Sequence, residues 1–314
     1  MTAPRVGIVG GRRSRQGLGP FVARDLAAGG AQVPCFLVTR EANREPARRA
    51  LREIAGVESR GYLDLDEMLS RESLDALAIL SPAETHARHL ETAASRGLHV
   101  LCEKPLVWGV PDLAATAARL VTRFEQQGLL LVENCQWPFT LPAFEALHPG
   151  SLAQPPRRFA MHLEPASRGL QSLADSLPHP ISVLQALLPG APHVREIEFS
   201  TRAPAPRLEL RFRFETDTAA CDALVVLTHS DRQPRRAEIE LDGRRAQRLV
   251  SEEGYRLCFR DALRSVPLPD PLTQLVAGFV GALREGRAAQ VDSILQRMRV
   301  IAAIAASYAP EEIR

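Results

Sequence analysis

Val6-Gly7-Ile8-Val9-Gly10-Gly11 runs a short apolar strand straight into two glycines, and Gly17-Leu18-Gly19 follows before Pro20 opens a helix. A strand, a glycine loop and a helix in that order bring backbone amides and a helix N-terminus to one point, where a pyrophosphate can sit. The usual Gly-x-Gly-x-x-Gly spacing is stretched here, because residues 12–16 stand between the two glycine pairs. Outward from this unit, strand-like runs at Gln32–Val38, Asp75–Leu80, His99–Cys102 and Leu129–Glu133 alternate with helical stretches. The helices are read at Pro20–Ala28, Arg44–Ile54, Pro82–Arg96 and Pro111–Gln127, the last begun by its proline, with a helical turn at Leu65–Leu69. Short apolar strands separated by such helices imply βαβ units and a parallel, doubly wound sheet. That setting favours a nucleotide-binding loop over a merely tight turn.

The second half changes character. Arg158–Glu164, Arg195–Thr201, Arg207–Glu215, Ala223–His229, Arg236–Leu241 and Gln247–Val250 read as strands, with one helix near Ser172–Leu188 and two closing helices at Leu272–Glu285 and Val291–Tyr308. Leu210, Phe212 and Phe214 alternate with charged residues, as in a sheet with one wet face, and Asp242-Gly243 is a hairpin signal. The six arginines between 232 and 248 lie among Asp231, Glu238, Glu240 and Asp242, and read as a solvated edge strand rather than a nucleic-acid surface. Prolines 138, 142, 149, 155 and 156 cluster where the character changes. The expected domains are therefore 1–137, dinucleotide-binding, and 138–314, for substrate binding and oligomerisation, with closing helices that can pack back on the first domain.

The 314 residues are 45% apolar and 24% charged, and 39 basic against 37 acidic residues leave +2. No global field points to nucleic acid or an anionic membrane. The longest nearly unbroken apolar runs, such as Val300–Ala306, fall far short of the ~20 residues of a membrane helix, and Met1–Gly11 is too short an apolar stretch for a signal peptide. Five scattered cysteines with no Cys-x-x-Cys argue against a disulfide framework or a metal site, and for a reducing cytoplasm. Cys102 and Cys135, which close two of the strands, read as inert core thiols.

Lys104 is the only lysine among the 39 basic residues. It stands in Glu103-Lys104-Pro105, directly after the strand His99–Cys102, at the strand end that faces the ligand crevice of a doubly wound sheet. A compact ammonium there offers what a guanidinium cannot, since its pKa can fall on burial.

These residues, with Ala78-Ile-Leu-Ser81-Pro82-Ala-Glu-Thr-His86 and Gly97-Leu-His-Val-Leu-Cys-Glu103-Lys104-Pro105, resemble the glucose–fructose oxidoreductase / inositol dehydrogenase / rhizopine catabolism (Gfo/Idh/MocA) family. The closing helix through Ile301–Ser307 is similar too. The resemblance implies an N-terminal Rossmann domain, a C-terminal α+β domain with an open, largely antiparallel sheet, and a homodimer or homotetramer. It implies an NAD(P)-dependent oxidoreductase that moves hydride between nicotinamide and a polar, cyclic alcohol or carbonyl, such as a sugar or cyclitol. Two alternatives stay open: a hydrolase or lyase that uses tightly bound NAD transiently, and a catalytically silent dinucleotide-binding regulator.

By the same resemblance, Gly10, Gly11, Gly17, Gly19, Ser81, Pro82, His86 and Glu103 hold the cofactor, and the Lys104–Pro105 bond is cis. Asp175-Ser-Leu-Pro-His179-Pro-Ile-Ser182 is similar to the family's Asp-x-Gly-x-His-x-x-Asp helix. Lys104 then orients the substrate oxygen, His179 exchanges its proton and Asp175 supports them. Leu177 and Ser182 replace the family's glycine and second aspartate. Gln136 or Trp137 stands where the family often has an arginine, and Gln136, Trp137 and Ser182 are the expected substrate contacts. Set against these roles, His86 can simply pack its helix and Trp137 can be core.

The cofactor expected is NADP, otherwise NAD. An NAD-type unit places a carboxylate at the end of the second strand, about 20 residues past the glycine loop. Here Leu37-Val38-Thr39-Arg40 ends that strand, and Arg40 stands 21 residues after Gly19. A guanidinium can bind a 2′-phosphate that a carboxylate would repel. Arg12, Arg13 and Arg44 are further candidates for that phosphate, and Glu41 is the opposing signal.

Overall fold

The computed structural model describes residues 2–11, 17–202, 207–251, 255–286 and 291–309. The chain divides into two compact units, Met1–Asn134 with Leu272–Leu295, and Cys135–Pro271 with Gln296–Arg314.

Six strands form the sheet of the first unit: β1 (Val6–Val9), β2 (Cys35–Leu37), β3 (Arg60–Tyr62), β4 (Ala76–Ile79), β5 (His99–Cys102) and β6 (Leu131–Glu133). All pairs are parallel, in the order β3-β2-β1-β4-β5-β6. The chain leaves β1 toward β2 on one side and later resumes at β4 on the other, so the crevice at the carboxyl ends of β1 and β4 is the topological switch point. Parallel strands covered on both faces need continuous apolar runs, and β1, β2 and β4 are buried at every position.

The strands alternate with α1 (Gly19–Ala28), α2 (Arg44–Ala50), α3 (Leu65–Arg71), α4 (His86–Ser95) and α5 (Leu113–Gln126). A late helix, α9 (Pro271–Glu285), adds Leu272, Leu275, Val276, Phe279 and Val280 to the same core as Val22 and Leu26 of α1. Thr273 donates to the buried Asp25 carboxylate at 3.0 Å. Two local readings change. The helix expected from Arg44 to Ile54 passes into a wider π-turn at Leu51–Ala55. Pro111 does not begin α5; Asp112 caps it, accepting from the Ala115 amide at 2.8 Å.

The second unit carries an eight-stranded sheet of β7 (Arg158–Leu163), β8 (His193–Arg202), β9 (Arg207–Glu215), β10 (Ala220–Thr228), β11 (Ala237–Leu241), β12 (Arg244–Val250), β13 (Leu257–Arg260) and β14 (Ser265–Leu268). Its order is β14-β13-β12-β11-β7-β10-β9-β8, antiparallel except between β7 and β10. The alternation in β9 holds: Leu210, Phe212 and Phe214 are buried while Arg211 is exposed. Asp242 and Gly243 both take positive φ, 48° and 86°, and turn β11 into β12 with Leu241 opposite Arg244. The expected edge strand is corrected here, because β12 lies inside the sheet between β11 and β13.

Helices α6 (Leu141–Leu147), α7 (Gly169–Ser176), α8 (Pro178–Leu187) and α10 (Asp292–Ala306) complete the fold. Pro142 falls in the first turn of α6, where the missing amide has no helical partner to lose. The single helix expected at Ser172–Leu188 is two, joined at Leu177. Pro178 and Pro180, on either side of His179, each remove a backbone donor there.

A glycine packed against backbone in the first unit generates a prediction. Gly10 has φ +100°, and a Cβ on it would lie 2.7 Å from the Leu80 carbonyl oxygen; Gly97 has φ +67° with open space around it. Strained backbone of this kind costs about 1–3 kcal/mol, so Gly97→Ala should show that cost alone. Gly10→Ala adds a backbone clash and should melt several degrees lower than Gly97→Ala; equal melting temperatures would contradict the close packing.

Candidate active site

The residues singled out in the sequence fall into two sets, one on each unit. In the first unit they gather at the carboxyl ends of β1, β4 and β5. Gly10 and Gly11 both donate to the Leu37 carbonyl at the end of β2, at 3.1 and 3.3 Å. Gly19 opens α1, and a Cβ on it would lie 2.8 Å from the Gly10 carbonyl oxygen. Gly17, half-buried, stands just before that helix. α1 begins with no side-chain cap and no acidic residue in its first turn, which leaves its positive end suited to an anion.

Past β4, Ser81 and Pro82 form a turn held by Thr85. The Thr85 hydroxyl donates to the Pro82 carbonyl at 2.7 Å, so Ser81 is the donor in its 2.7 Å contact with Thr85 Oγ1. Pro82 itself is exposed. His86 is wholly buried, with Nδ1 2.9 Å from the Pro105 carbonyl and Nε2 2.9 Å from the Ser81 carbonyl. Both contacts are to backbone carbonyls, one from each turn. His86 therefore ties two turns together and has no ring nitrogen turned to a cofactor.

Lys104, half-buried, follows β5, and its bond to Pro105 is cis. Two residues at the end of β6 brace this turn. Buried Glu133 accepts from the Leu106 amide at 2.8 Å, and the Asn134 side-chain amide donates to the Glu103 carboxylate. Burial raises the Glu103 carboxyl pKa, opposed by the nearby Lys104 charge and the Asn134 hydrogen bond. Burial also pushes the Cys102 thiol well above its ordinary value, in keeping with an inert core group. Glu133 and Asn134 were legible only as the end of a strand; their bracing role depends on which strands are neighbours.

In the second unit, Asp175 and His179 stand four residues apart across the α7–α8 joint, both half-buried. The Asp175 carboxylate accepts from the Ser167 hydroxyl and, at 3.4 Å, from the Gln171 amide. Ser182 is buried and donates to the His179 carbonyl at 2.9 Å, so its hydroxyl supports the helical turn that carries His179. Trp137 is buried, its ring centroid 6.1 Å from that of His179 at a tilt of 57°. Half-buried Gln136 precedes it. Arg248 was read with its neighbours as part of a solvated edge, yet its guanidinium lies over the Trp137 ring at 5.0 Å. The missed signal was parity, since Arg248 shares a strand face with buried Ala246.

Arg40 is exposed and extended, three residues beyond the end of β2, with no side-chain ion pair among the described residues. Glu41, the opposing signal, is held by Arg44 at 2.6 Å. Arg12 and Arg13 lie outside the described residues. Among the described residues no cluster of ligating side chains could hold a metal ion, and no helix is long and apolar enough to cross a membrane. A dinucleotide fits the first unit: two glycines whose Cβ would collide with backbone line an uncapped helix N-terminus at the switch point.

Residues 4–134 match the model of the Gfo/Idh/MocA family, described as an oxidoreductase family with an NAD-binding Rossmann fold. Over that segment the chain is similar to this family. A D-xylose 1-dehydrogenase (NADP(+)) from Haloferax volcanii is 36% identical over 99 residues, 31% of this chain and 29% of its own length. A dTDP-3,4-didehydro-2,6-dideoxy-alpha-D-glucose 3-reductase from Actinomadura kijaniata is 36% identical over 103 residues, 32% of this chain and 29% of its own. The chain thus matches under a third of the length of these relatives. A 3-ketoreductase from Actinomadura kijaniata, solved with NADP, superimposes with TM-score 0.70 at 21% identity, covering 97% of both chains. The expected fold class is borne out in both units, a parallel Rossmann sheet in the first and a largely antiparallel sheet in the second.

The half-buried Glu103 carboxyl gives a pH prediction. An acid whose pKa rises on folding opposes stability once pH passes the unfolded value, ~4.3, and does so fully above the folded value. Glu103→Gln removes that penalty. It should melt above wild type near pH 7, with the difference closing below about pH 4; a difference independent of pH would contradict the assignment.

Proposed function

We propose that this protein is an NAD(P)-dependent oxidoreductase acting on a polar, cyclic alcohol or carbonyl compound of the sugar or cyclitol class. The observation that carries the reading is the position of Lys104: the only lysine of the chain stands at the carboxyl end of β5 in a Rossmann unit. When bound, the nicotinamide supplies the hydride acceptor or donor. Lys104 orients and polarises the substrate oxygen. His179 takes up or returns the hydroxyl proton, and Asp175 fixes the helix segment that carries it. A histidine suits that exchange because its ordinary pKa of ~6.5 lies near working pH. The relatives that share the Rossmann segment are named as a dehydrogenase and a reductase. That supports net redox turnover over a hydrolase or lyase with transiently used NAD, and over a silent regulator.

NADP is the preferred cofactor in this reading. Arg40 is exposed and unencumbered at the place where an NAD-type unit keeps a carboxylate, and Glu41 is engaged by Arg44. The open face of the second sheet is the assembly surface of a homodimer or homotetramer. No nucleic-acid partner belongs to this reading.

Turnover of a polyol, sugar and carbonyl panel, followed at 340 nm with both cofactors, tests the activity. Lys104→Arg keeps the charge but replaces an ammonium with a broad fork. It should lower turnover at least ~100-fold with NADPH affinity nearly unchanged; near-normal turnover would remove Lys104 from the chemistry. Arg40→Ala should weaken NADPH binding by about tenfold or more, the worth of a charge-assisted hydrogen bond, and leave NADH binding as it was. Tighter NADH than NADPH binding in the wild type would overturn the cofactor preference.

A further inference from the structure

In the second unit, one face of the sheet places an arginine among buried apolar neighbours. β11 and β12 pair so that Ala237 faces Arg248 and Ile239 faces Ala246, and β13 sets Phe259 against Arg248. Ala237, Ile239, Ala246 and Phe259 are all buried. On the opposite face the same strands carry Glu238 and Glu240, which engage the neighbouring arginines. Arg245 meets Glu238 at 3.3 Å and Glu240 at 2.8 Å, and Arg236 meets Glu238 at 2.8 Å. Arg248 has none of this. It has no ion pair among the described residues, and its Nε is shut from solvent with no hydrogen-bond partner.

Arg248 as a whole is half-buried, and keeping its Nε from water without a hydrogen-bond partner is unfavourable. Burial lowers its pKa; Tyr255 and Asp270 oppose that electrostatically. The Trp137 ring beneath it, at 5.0 Å, offsets only part of the cost. The other neighbour of that ring is His179, 6.1 Å between ring centroids. The unsatisfied donor is thus held one ring away from the proposed acid–base residue, within one unit. A planar fork of N–H donors suits a carboxylate or phosphate, which a fork can bind through two parallel hydrogen bonds.

We propose that Arg248, seated on Trp137, binds an oxyanion carried by the substrate, so that the protein selects a polyhydroxylated ring bearing a carboxylate or phosphate over its neutral counterpart. The inference rests on the proposed function for the role of His179, and it adds the charge of the substrate to that reading.

The test compares D-glucuronate, D-glucose 6-phosphate and D-glucose as ligands of the full chain by calorimetric titration, without cofactor. Wild type should bind at least one of the two anionic sugars tenfold or more tightly than glucose. A preference confined to glucuronate identifies a carboxylate, and one confined to glucose 6-phosphate a phosphate. Arg248→Gln should abolish the preference. In a Trp108→Phe background, where Trp137 is the sole tryptophan, the preferred anion should change the emission. Equal binding of all three by wild type, retention of the preference in Arg248→Gln, or unchanged Trp137 emission would each overturn the proposal. Lys104→Ala, which ends turnover under the proposed function, should keep the anion preference. A protein that shows the preference but reduces or oxidises nothing would refute the redox reading and leave this one standing.

Discussion

One buried imidazole organises the crevice of the first unit. His86 sits with its two ring nitrogens against the carbonyl oxygens of Ser81 and Pro105, the turns that follow β4 and β5. Such carbonyls, removed from water, cost more unpaired than they gain when paired, so the ring, rather than either turn alone, fixes how the two turns lie. Glu133 and Asn134 carry the arrangement across to β6. Lys104 inherits its place from this lattice of backbone contacts.

The second unit solves a different problem, a large sheet with two unlike faces. One face holds charged ladders, such as Glu209 between Arg207 at 3.0 Å and Arg211 at 3.4 Å; the other is closed over by aromatic and aliphatic side chains. The helix that carries Asp175 and His179 is interrupted by prolines, and the Ser182 hydroxyl bonds back to the carbonyl of His179. A serine at this position, where the family resemblance leads one to expect an aspartate, thus has a local structural use whatever the substrate contributes.

Much of this was readable in advance, for physical reasons. Long apolar runs bounded by glycine or proline gave β1, β4, β5 and the helices between them, and strict alternation gave β9. What escaped lacked such a signal. β3 is Arg60-Gly61-Tyr62, three residues of which one is exposed, and it is a strand only because Cys35–Leu37 offers it a partner. β13 and β14 are likewise short; β13 ends in Arg260 and β14 contains Pro267. α6 was hidden by prolines that, in a first turn, do no harm. In the site, glycines, Lys104 and Glu103 announced themselves by position. His86 was visible as a residue but not as a clamp, because its two partners are 5 and 19 residues away. Arg248 looked like one more solvated arginine until strand pairing fixed which way it faces.

The replacement of every other lysine by arginine has a chemical corollary. Guanidinium groups do not react with the acylating and reductive-alkylating reagents that attack amines, so the chain's α-amino group aside, its amine chemistry is confined to Lys104. The half-buried ε-amino group at the end of β5 is in effect a built-in singular handle. Isotope or probe introduced through lysine reports from one turn of the protein and from no other side chain.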